Sequence, residues 1–228
     1  MCHRQFALAV LVIVFALFVQ PGYSQEAVDP KTKKEIDKLI KQLKDKDEEV
    51  RYSAAIALGI IGPAAKEAVP ALVTALKDKG EGVRSYTAYY ALGKIGPAAK
   101  EAVPALATAL KDKDKYVRSY AARALGNIGQ AAKEAVPALI TALKEKEKYL
   151  RDCSAYALVK IGPAAVPALV TALKDKDEGV RRYAADALGD IGPAGKEAVP
   201  ALVEASNDKE TTVREAALAA IKKIKAKQ

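Results

Sequence analysis

The sequence predicts an all-α fold in which six similar helical hairpins stack along one array. The first observation is a fixed period, marked by a Val-Arg or Leu-Arg pair that begins at Val50, Val83, Val117, Leu150, Val180 and Val213. These pairs lie 33, 34, 33, 30 and 33 residues apart. A period of this length is typical of repeat proteins, whose units bury their apolar faces only against their neighbours.

The second observation is that each unit contains two amphipathic segments. The first reads AVPALVTALKD at residues 68–78, and its apolar side chains recur at helical spacing on one face. The second reads VRYSAAIALGIIG at residues 50–62 and has a similar apolar stripe. Gly62 allows a positive φ after this helix, and Pro63 prevents its continuation. Short polar turns join the segments, so we predict twelve helices in six antiparallel pairs and no strand.

The first helix of most units carries a proline directly after its first apolar residue, at Pro70, Pro104, Pro167 and Pro200. A proline fits the first turn of a helix because its missing N–H has no partner there. In a helix that began at Lys66 or earlier, the same proline would cause a bend. The sequence leaves both alternatives open.

Residues 1–24 have the pattern of a secretory signal peptide. A basic start precedes the apolar run FALAVLVIVFALFV at residues 6–19, and Gly22 and Ser24 are the small residues before a predicted cleavage at Gln25. The run is shorter than the ~20 residues needed to cross a bilayer, which favours a cleaved signal over an uncleaved anchor. We therefore predict an exported protein, periplasmic or secreted, with a short linker at 25–30 and one solenoid domain at 31–228.

Removal of the signal segment leaves one cysteine, Cys153, no histidine and a net charge of +8. This composition excludes an internal disulfide, a His-containing metal site and a zinc site, and leaves open a disulfide between two chains. No glycine-rich phosphate loop or Gly-x-Ser-x-Gly turn occurs. We therefore predict no enzymatic activity, no cofactor and no metal. The basic excess lies at the two ends of the chain, which disfavours a nucleic-acid groove but leaves the tail KKIKAK free to contact an anionic surface.

The repeated pattern resembles a known family. The stretch VPALVTALKDKDEGVRRYAADALGDIGPAGKEAVPAL at residues 166–202 is similar to HEAT repeats of the type found in phycobilisome lyases. The resemblance implies a right-handed α-solenoid, with first helices on the convex side and second helices on the concave side. Charged helices at both ends of the array fit the polar caps that such arrays need. A bilin lyase or chaperone is an alternative function that the family suggests, although an export signal argues against it. The paired His-Glu motifs of deoxyhypusine hydroxylase, a HEAT-like enzyme, are absent from the sequence.

An acid and an arginine recur six residues apart in every unit. These are Asp45 and Arg51, Asp78 and Arg84, Asp112 and Arg118, Glu145 and Arg151, Asp175 and Arg181, and Asp208 and Arg214. We expect each acid to accept hydrogen bonds at the start of the second helix and to pair with the arginine across the turn. Because a catalytic site would be unique, we interpret the sixfold pattern as a structural ladder, and the resemblance implies that it ties successive repeats together.

The copies differ on the side of the second helix that faces away from the predicted core. All nine tyrosines that follow residue 24 lie on second helices or directly before them. Tyrosine and arginine are favoured at protein interfaces. We predict a protein-binding surface that contains Tyr52, Tyr86, Tyr89, Tyr90, Tyr120, Arg123, Tyr156, Arg182, Tyr183 and Asp186. The alternative for Tyr86, Tyr120 and Tyr183 is that they fill gaps between alanine-rich helices.

The second helix of the second unit is one residue longer than its relatives. It reads VRSYTAYYALG at residues 83–93, where the first unit reads VRYSAAIALG. An extra residue turns every later side chain by about 100° unless the helix absorbs it in a π-bulge or begins late. We predict a bulge between Ser85 and Tyr90 that exposes Tyr86, Tyr89 and Tyr90 together.

Overall fold

A computed structural model describes residues 28–226. The predicted signal peptide of residues 1–24 lies outside the described residues. Within them, twelve helices form six consecutive pairs, repeats 1 to 6, and no strand occurs. The helices are α1 (Pro30–Gln42), α2 (Glu48–Ile61), α3 (Val69–Ala75), α4 (Glu81–Tyr86, Thr87–Leu92 and Gly93–Ile95), α5 (Val103–Ala109), α6 (Lys115–Ile128), α7 (Val136–Ala142), α8 (Lys148–Ile161), α9 (Val166–Ala172), α10 (Glu178–Ile191), α11 (Val199–Ala205) and α12 (Thr211–Lys225). The predicted all-α solenoid is confirmed.

The first helix of each repeat after the first is short and follows a 3₁₀ segment. These segments are Gly62–Ala68, Gly96–Ala102, Gly129–Ala135, Gly162–Ala165 and Gly192–Ala198. The α-helix begins at the valine after each segment, so the proline lies in the first turn. This answers the question that the sequence left open, because a proline in the first turn removes no backbone hydrogen bond. The segment Gly162–Ala165 has four residues where the others have seven.

The second helices are longer, and their ends are set by specific residues. Asp47, Asp114 and Asp177 act as N-caps that accept from backbone N–H groups of the first turn. A glycine with φ between 65° and 74° ends the second helix in repeats 1 to 5. Only glycine adopts this conformation without a steric cost, so it turns the chain into the 3₁₀ segment.

The second helices pack against one another along the array. Leu58, Leu92 and Leu125 occupy equivalent core positions and are fully buried. In several repeats the residue after this leucine is a glycine, and its lack of a side chain allows the next second helix to approach closely. A Cβ at Gly59 would lie 2.3 Å from the Tyr90 carbonyl oxygen, and one at Gly189 would lie 2.8 Å from the Ala220 Cα. Repeat 4 has Val159 at this position, so its contact with repeat 5 is built differently.

Two stretches of the described chain are long and apolar enough to resemble membrane-spanning helices, Glu48–Ala75 and Lys148–Ala172. Each contains a glycine with positive φ, Gly62 or Gly162, and therefore turns at that point. Leu58 and Leu158 within them are fully buried in the core of the array. Both stretches serve as a second helix followed by the next first helix.

Candidate functional site

The exposed sides of the second helices form one surface, which we call the second-helix face. Six tyrosines of repeats 1 to 3 lie on it in unbroken contact, and we call them the tyrosine row. In spatial order they are Tyr52, Tyr86, Tyr90, Tyr89, Tyr120 and Tyr116. Their ring centroids are separated by 4.7, 5.2, 5.0, 5.0 and 6.3 Å, which is the range of favourable aromatic pairs.

A π-helical segment in α4 places two neighbouring tyrosines on this face. The segment is Thr87–Leu92, so a bulge is confirmed, but it begins two residues later than the predicted interval of Ser85 to Tyr90 and leaves Tyr86 in the α-helical turn before it. Ala88 and Leu92, on either side of Tyr89 and Tyr90, are fully buried, as are Ala55 and Leu58 at the matching positions of repeat 1. The core register is therefore kept, and Tyr89 and Tyr90 together occupy the place that Ile56 has in repeat 1.

The π-helical segment has a local cost. The Thr87 hydroxyl is buried and has no hydrogen-bond partner among residues 28–226. In the regular helix α8, Ser154 stands at the matching position, and its hydroxyl donates to the Leu150 carbonyl oxygen at 2.8 Å. An unpaired buried hydroxyl costs about 1–3 kcal/mol, so the bulge is retained against a penalty.

Cations extend the tyrosine row into repeat 4. The Arg123 guanidinium lies 5.4 Å from the Tyr89 ring and 6.0 Å from the Tyr156 ring. The Lys160 ammonium lies 5.6 Å from the centre of the same Tyr156 ring, and the Tyr156 hydroxyl donates to the Asn127 side-chain oxygen at 3.1 Å. Tyr116, at one end of the tyrosine row, is 52 % exposed, and Tyr156, on the far side of Arg123, is 39 % exposed, so both rings are accessible to a partner.

A shallow groove adjoins Tyr156. It has a volume of about 840 Å³ and lies at the carboxyl ends of α4 and α6. Lys94, Asn127, Tyr156 and Lys160 provide its polar lining. No cluster of three or more metal-ligating side chains occurs within the described part of the chain.

The remaining predicted surface residues separate into exposed and buried groups. Arg182 and Asp186 are partly exposed and form an ion pair at 3.2 Å on α10. Tyr183 is only 6 % exposed, and its hydroxyl donates to the Asp152 carboxylate at 2.7 Å. This corrects the prediction, since Tyr183 fills a gap between α8 and α10 and is not part of the binding surface.

Two serines at the position that Tyr52 has in repeat 1 are also buried. Ser85 and Ser119 are 6 % and 2 % exposed, and their hydroxyls donate to Gly82 and Lys115 carbonyl oxygens. A short side chain that satisfies its hydroxyl within its own helix is able to lie beneath larger neighbours.

The acid and arginine ladder joins neighbouring repeats. The Arg51 Nε and Nη2 atoms donate to the Asp78 carboxylate at 2.6 and 2.9 Å, and Arg84 with Asp112 and Arg181 with Asp208 repeat this bidentate geometry. The arginine Nη1 bonds only backbone carbonyl oxygens of the turn in its own repeat. The sequence-based pairing within one repeat was therefore wrong, because Arg51, Arg84 and Arg181 each bind the acid of the next repeat.

Repeat 4 departs from the ladder. The Glu145 side chain makes no hydrogen bond or ion pair within residues 28–226, and Glu147 receives Arg118 Nη2 at 2.6 Å instead. This single contact leaves the buried Arg118 Nε without a partner among the described residues. Asp45 and Arg214 lie in the first and the last of the six described repeats, and neither makes an ion pair between repeats within residues 28–226.

Burial and pairing shift the pKa of several of these groups. The Arg51 guanidinium lowers the pKa of Asp78, and the Arg181 guanidinium lowers the pKa of Asp208. Burial, together with the neighbouring Tyr86, raises the pKa of Tyr52 to about 12, so this hydroxyl stays neutral near pH 7. Burial also raises the pKa of the Cys153 thiol, which is 5 % exposed and is therefore a poor nucleophile.

Sequence reasoning left Tyr116 and Lys160 out of the predicted surface. Tyr116 directly precedes the Val-Arg pair of its repeat, which puts it at the start of α6 and outside the outward stripe. Tyr116 contacts Tyr120, four residues later in the same helix. Because residues four apart are neighbours on a helix surface, this spacing could have predicted the contact from the sequence. Lys160 joins the surface only through a contact with Tyr156 one turn earlier in α8.

Comparisons with known proteins agree with this architecture. The model of the family described as HEAT repeats matches residues 36–113, 103–166 and 136–222. A comparison with curated proteins found no match. Among solved structures, an engineered protein is 28 % identical with a TM-score of 0.55, and the alignment covers 84 % of this chain and 97 % of that one.

Two further solved structures are similar to the chain. The complex of CpcE and CpcF of phycocyanin lyase from Nostoc sp. PCC7120 is 27 % identical with a TM-score of 0.54, covering 90 % of this chain and 81 % of that one. A designed armadillo repeat protein is 22 % identical with a TM-score of 0.54 over 83 % and 99 % of the two chains, and this likeness concerns the fold alone. The family model covers nearly all of the described residues, and the chain therefore belongs to the HEAT repeat family.

Proposed function

We propose that this protein is an exported, non-enzymatic scaffold that binds a protein partner on its second-helix face. The observation that carries the proposal is the tyrosine row, six rings in continuous contact across three repeats. Export rests on the N-terminal sequence, which has a signal-peptide pattern at residues 1–24.

The chemistry of this face suits a protein partner. Tyrosine offers a large rigid contact area together with a polar hydroxyl, and it loses little conformational entropy on binding. The rings already contact one another, and Arg123 lies between Tyr89 and Tyr156, so the surface is organised before a partner arrives. Tyrosine and arginine are also the residues most enriched among binding hot spots.

An anionic polymer is the second candidate, favoured by Lys94, Arg123 and Lys160. None of these three side chains forms an ion pair with a carboxylate among residues 28–226. Binding that rests on counterion release weakens steeply with salt, whereas binding led by tyrosine rings does not. A tenfold increase in salt that abolishes binding would favour the polymer.

A bilin lyase or chaperone activity is the third candidate, because one similar structure is the CpcE and CpcF complex of phycocyanin lyase. An assay for covalent chromophore attachment to a phycocyanin subunit separates this activity from simple binding.

The experiment is affinity capture from the secreted or periplasmic fraction, combined with photo-crosslinking from position 89. We expect the chain with benzoylphenylalanine in place of Tyr89 to crosslink to the same protein that the wild type captures. The triple variant Tyr86→Ala, Tyr89→Ala, Tyr90→Ala should recover at least tenfold less of the partner protein than the wild type. Truncation of a binding hot spot costs about 2 kcal/mol or more for each residue.

The matched control replaces three exposed residues of the first helices, Thr108→Ala, Thr141→Ala and Thr171→Ala. This control should bind as the wild type does. If the tyrosine triple loses helical content, the single change Tyr116→Ala at a 52 % exposed position provides the test. Equal capture by wild type and tyrosine variants would contradict the proposed surface.

A further inference from the structure

The ladder arginines of repeats 1, 2 and 5 share one hydrogen-bond pattern, and the arginine of repeat 4 departs from it within residues 28–226. In three repeats the Nε and Nη2 atoms of the ladder arginine hold a carboxylate in bidentate fashion, as Arg181 does with Asp208 at 2.7 and 2.9 Å. Arg151 stands at this position in repeat 4. Its Nη1 donates to the Glu145 and Lys146 carbonyl oxygens, as in the other repeats. Within residues 28–226, however, no carboxylate pairs with Arg151.

A local deletion explains this difference. Arg51 and Arg181 are each 27 residues before their acids, whereas Asp175 follows Arg151 by only 24. The three missing residues come from the segment Gly162–Ala165, which has four residues instead of seven. The shorter connection moves Asp175 away from Arg151, and its carboxylate accepts from Lys144 Nζ at 2.7 Å instead.

The same deletion leaves a cavity in front of Arg151. It has a volume of about 250 Å³ and lies between repeats 4 and 5, with Arg151, Arg182 and Tyr183 in its wall. The Arg151 guanidinium is held by the two carbonyl oxygens and lies 5.9 Å from the Tyr183 ring. The Tyr183 hydroxyl donates a hydrogen bond to the Asp152 carboxylate at 2.7 Å, which fixes that ring. The guanidinium therefore keeps the orientation that binds carboxylates elsewhere in the array.

We propose that Arg151 binds a carboxylate from an acidic segment of another protein, which enters the cavity between repeats 4 and 5. The carboxylate accepts two parallel hydrogen bonds, from Nε and Nη2, in the geometry that Asp78 and Asp208 show with their arginines. The site is separate from the tyrosine row, and the inference stands whether or not that row binds a partner.

Acidic neighbours do not prevent such a contact. Glu145, Asp177 and Glu178 lie in the cavity wall and oppose an incoming negative charge. Comparable acids surround a pair that does form. The negative charges of Glu178 and Glu210 lie near Arg181 and raise the pKa of its guanidinium, and Arg181 nevertheless binds Asp208. A bidentate contact with a preorganised guanidinium outweighs this repulsion in the neighbouring repeat, and we infer the same balance at Arg151.

The test is a titration followed through the Nε–H resonances of the arginines by NMR, at low ionic strength. One probe is acetyl-Gly-Asp-Gly-amide, which carries only a side-chain carboxylate, and the other is acetyl-Gly-Gly-Gly, which carries only a C-terminal one. We expect a saturable shift of the Arg151 signal with a half-point of roughly 10 mM, as suits one charge-assisted pair. The Arg181 signal, whose donors already hold Asp208, serves as the internal control and should not move.

Two variants make the result specific. Arg151→Lys keeps the charge but loses the fork, so the half-point should rise at least tenfold. Insertion of Lys-Glu-Ala between Ala165 and Val166 restores the 27-residue spacing, so Asp175 should occupy Arg151 and abolish the response to either probe. The inference is overturned if Arg151 shows no saturable shift below about 100 mM of either probe. It is also overturned if inorganic phosphate alone produces the shift, or if Arg151→Lys binds as the wild type does.

Discussion

At the scale of single residues, the array is held together by ion pairs that are almost completely buried. The Arg51 side chain is 6 % exposed and the Asp78 side chain 11 %. A guanidinium in this setting needs a carboxylate, since an unpaired buried charge is strongly unfavourable. Each arginine also bonds two carbonyl oxygens of its own turn, so one side chain fixes both the turn and the neighbouring repeat.

A first prediction concerns the energetic value of these pairs. Asp208→Asn removes the charge that Arg181 binds while keeping the shape of the side chain, and we expect it to lower the free energy of unfolding by about 1.5–3 kcal/mol. Glu145→Gln is the matched control, because this acid belongs to the repeated sequence pattern but is exposed and makes no pair within the described residues. It should change stability by less than about 0.5 kcal/mol. Urea unfolding of both variants measures the difference, and equal effects would show that the inter-repeat pair contributes nothing.

At the scale of elements, a π-helical segment and the glycine that faces it work together. A Cβ at residue 59 would lie 2.3 Å from the Tyr90 carbonyl oxygen, which is too close for any side chain. The segment therefore fits only because Gly59 has no side chain. The additional residue in α4 and the small residue in α2 allow two neighbouring tyrosines to share one face while the core register is kept.

A second prediction follows from this close contact. Gly59→Ala forces the two helices apart, and overpacking of this kind costs about 1–3 kcal/mol. Gly82→Ala, at the start of α4, meets nothing closer than the Tyr52 ring at 3.7 Å, so it should be neutral or stabilising by up to about 1 kcal/mol. Thermal unfolding with far-UV circular dichroism distinguishes the two. A stabilising Gly59→Ala would show that the close approach of α2 and α4 is not present in solution.

At the scale of the whole molecule, the array has one weak junction. Between repeats 4 and 5 the ladder arginine pairs with no carboxylate of the described residues, Val159 replaces the glycine that allows close approach, and the connection is three residues shorter. Because the stability of a repeat array is close to a sum of unit and interface terms, a weaker interface allows the parts on either side to open separately.

A third prediction describes this partial opening. In hydrogen exchange at increasing urea, we expect the amides of α10 and α12 to exchange through an opening that costs about 1–3 kcal/mol less than the opening of α4 and α6. Insertion of Lys-Glu-Ala after Ala165 should bring the two values together by restoring the pair between Arg151 and Asp175. A single opening free energy throughout the unmodified chain would contradict a weak junction.

The sequence by itself determined the period, the two helices of each repeat, the glycine that ends the second helix in repeats 1 to 5 and the π-helical segment in α4. These features depend on contacts within one helix or one turn, where helical spacing fixes which side chains meet. Only the tertiary structure decided that Arg51, Arg84 and Arg181 pair with the acid of the following repeat, that Arg151 pairs with no carboxylate among residues 28–226, and that Tyr183 is buried while Tyr116 is exposed. Those outcomes depend on the offset between neighbouring repeats, which the length of the 3₁₀ connection sets and which no pattern within a single repeat contains.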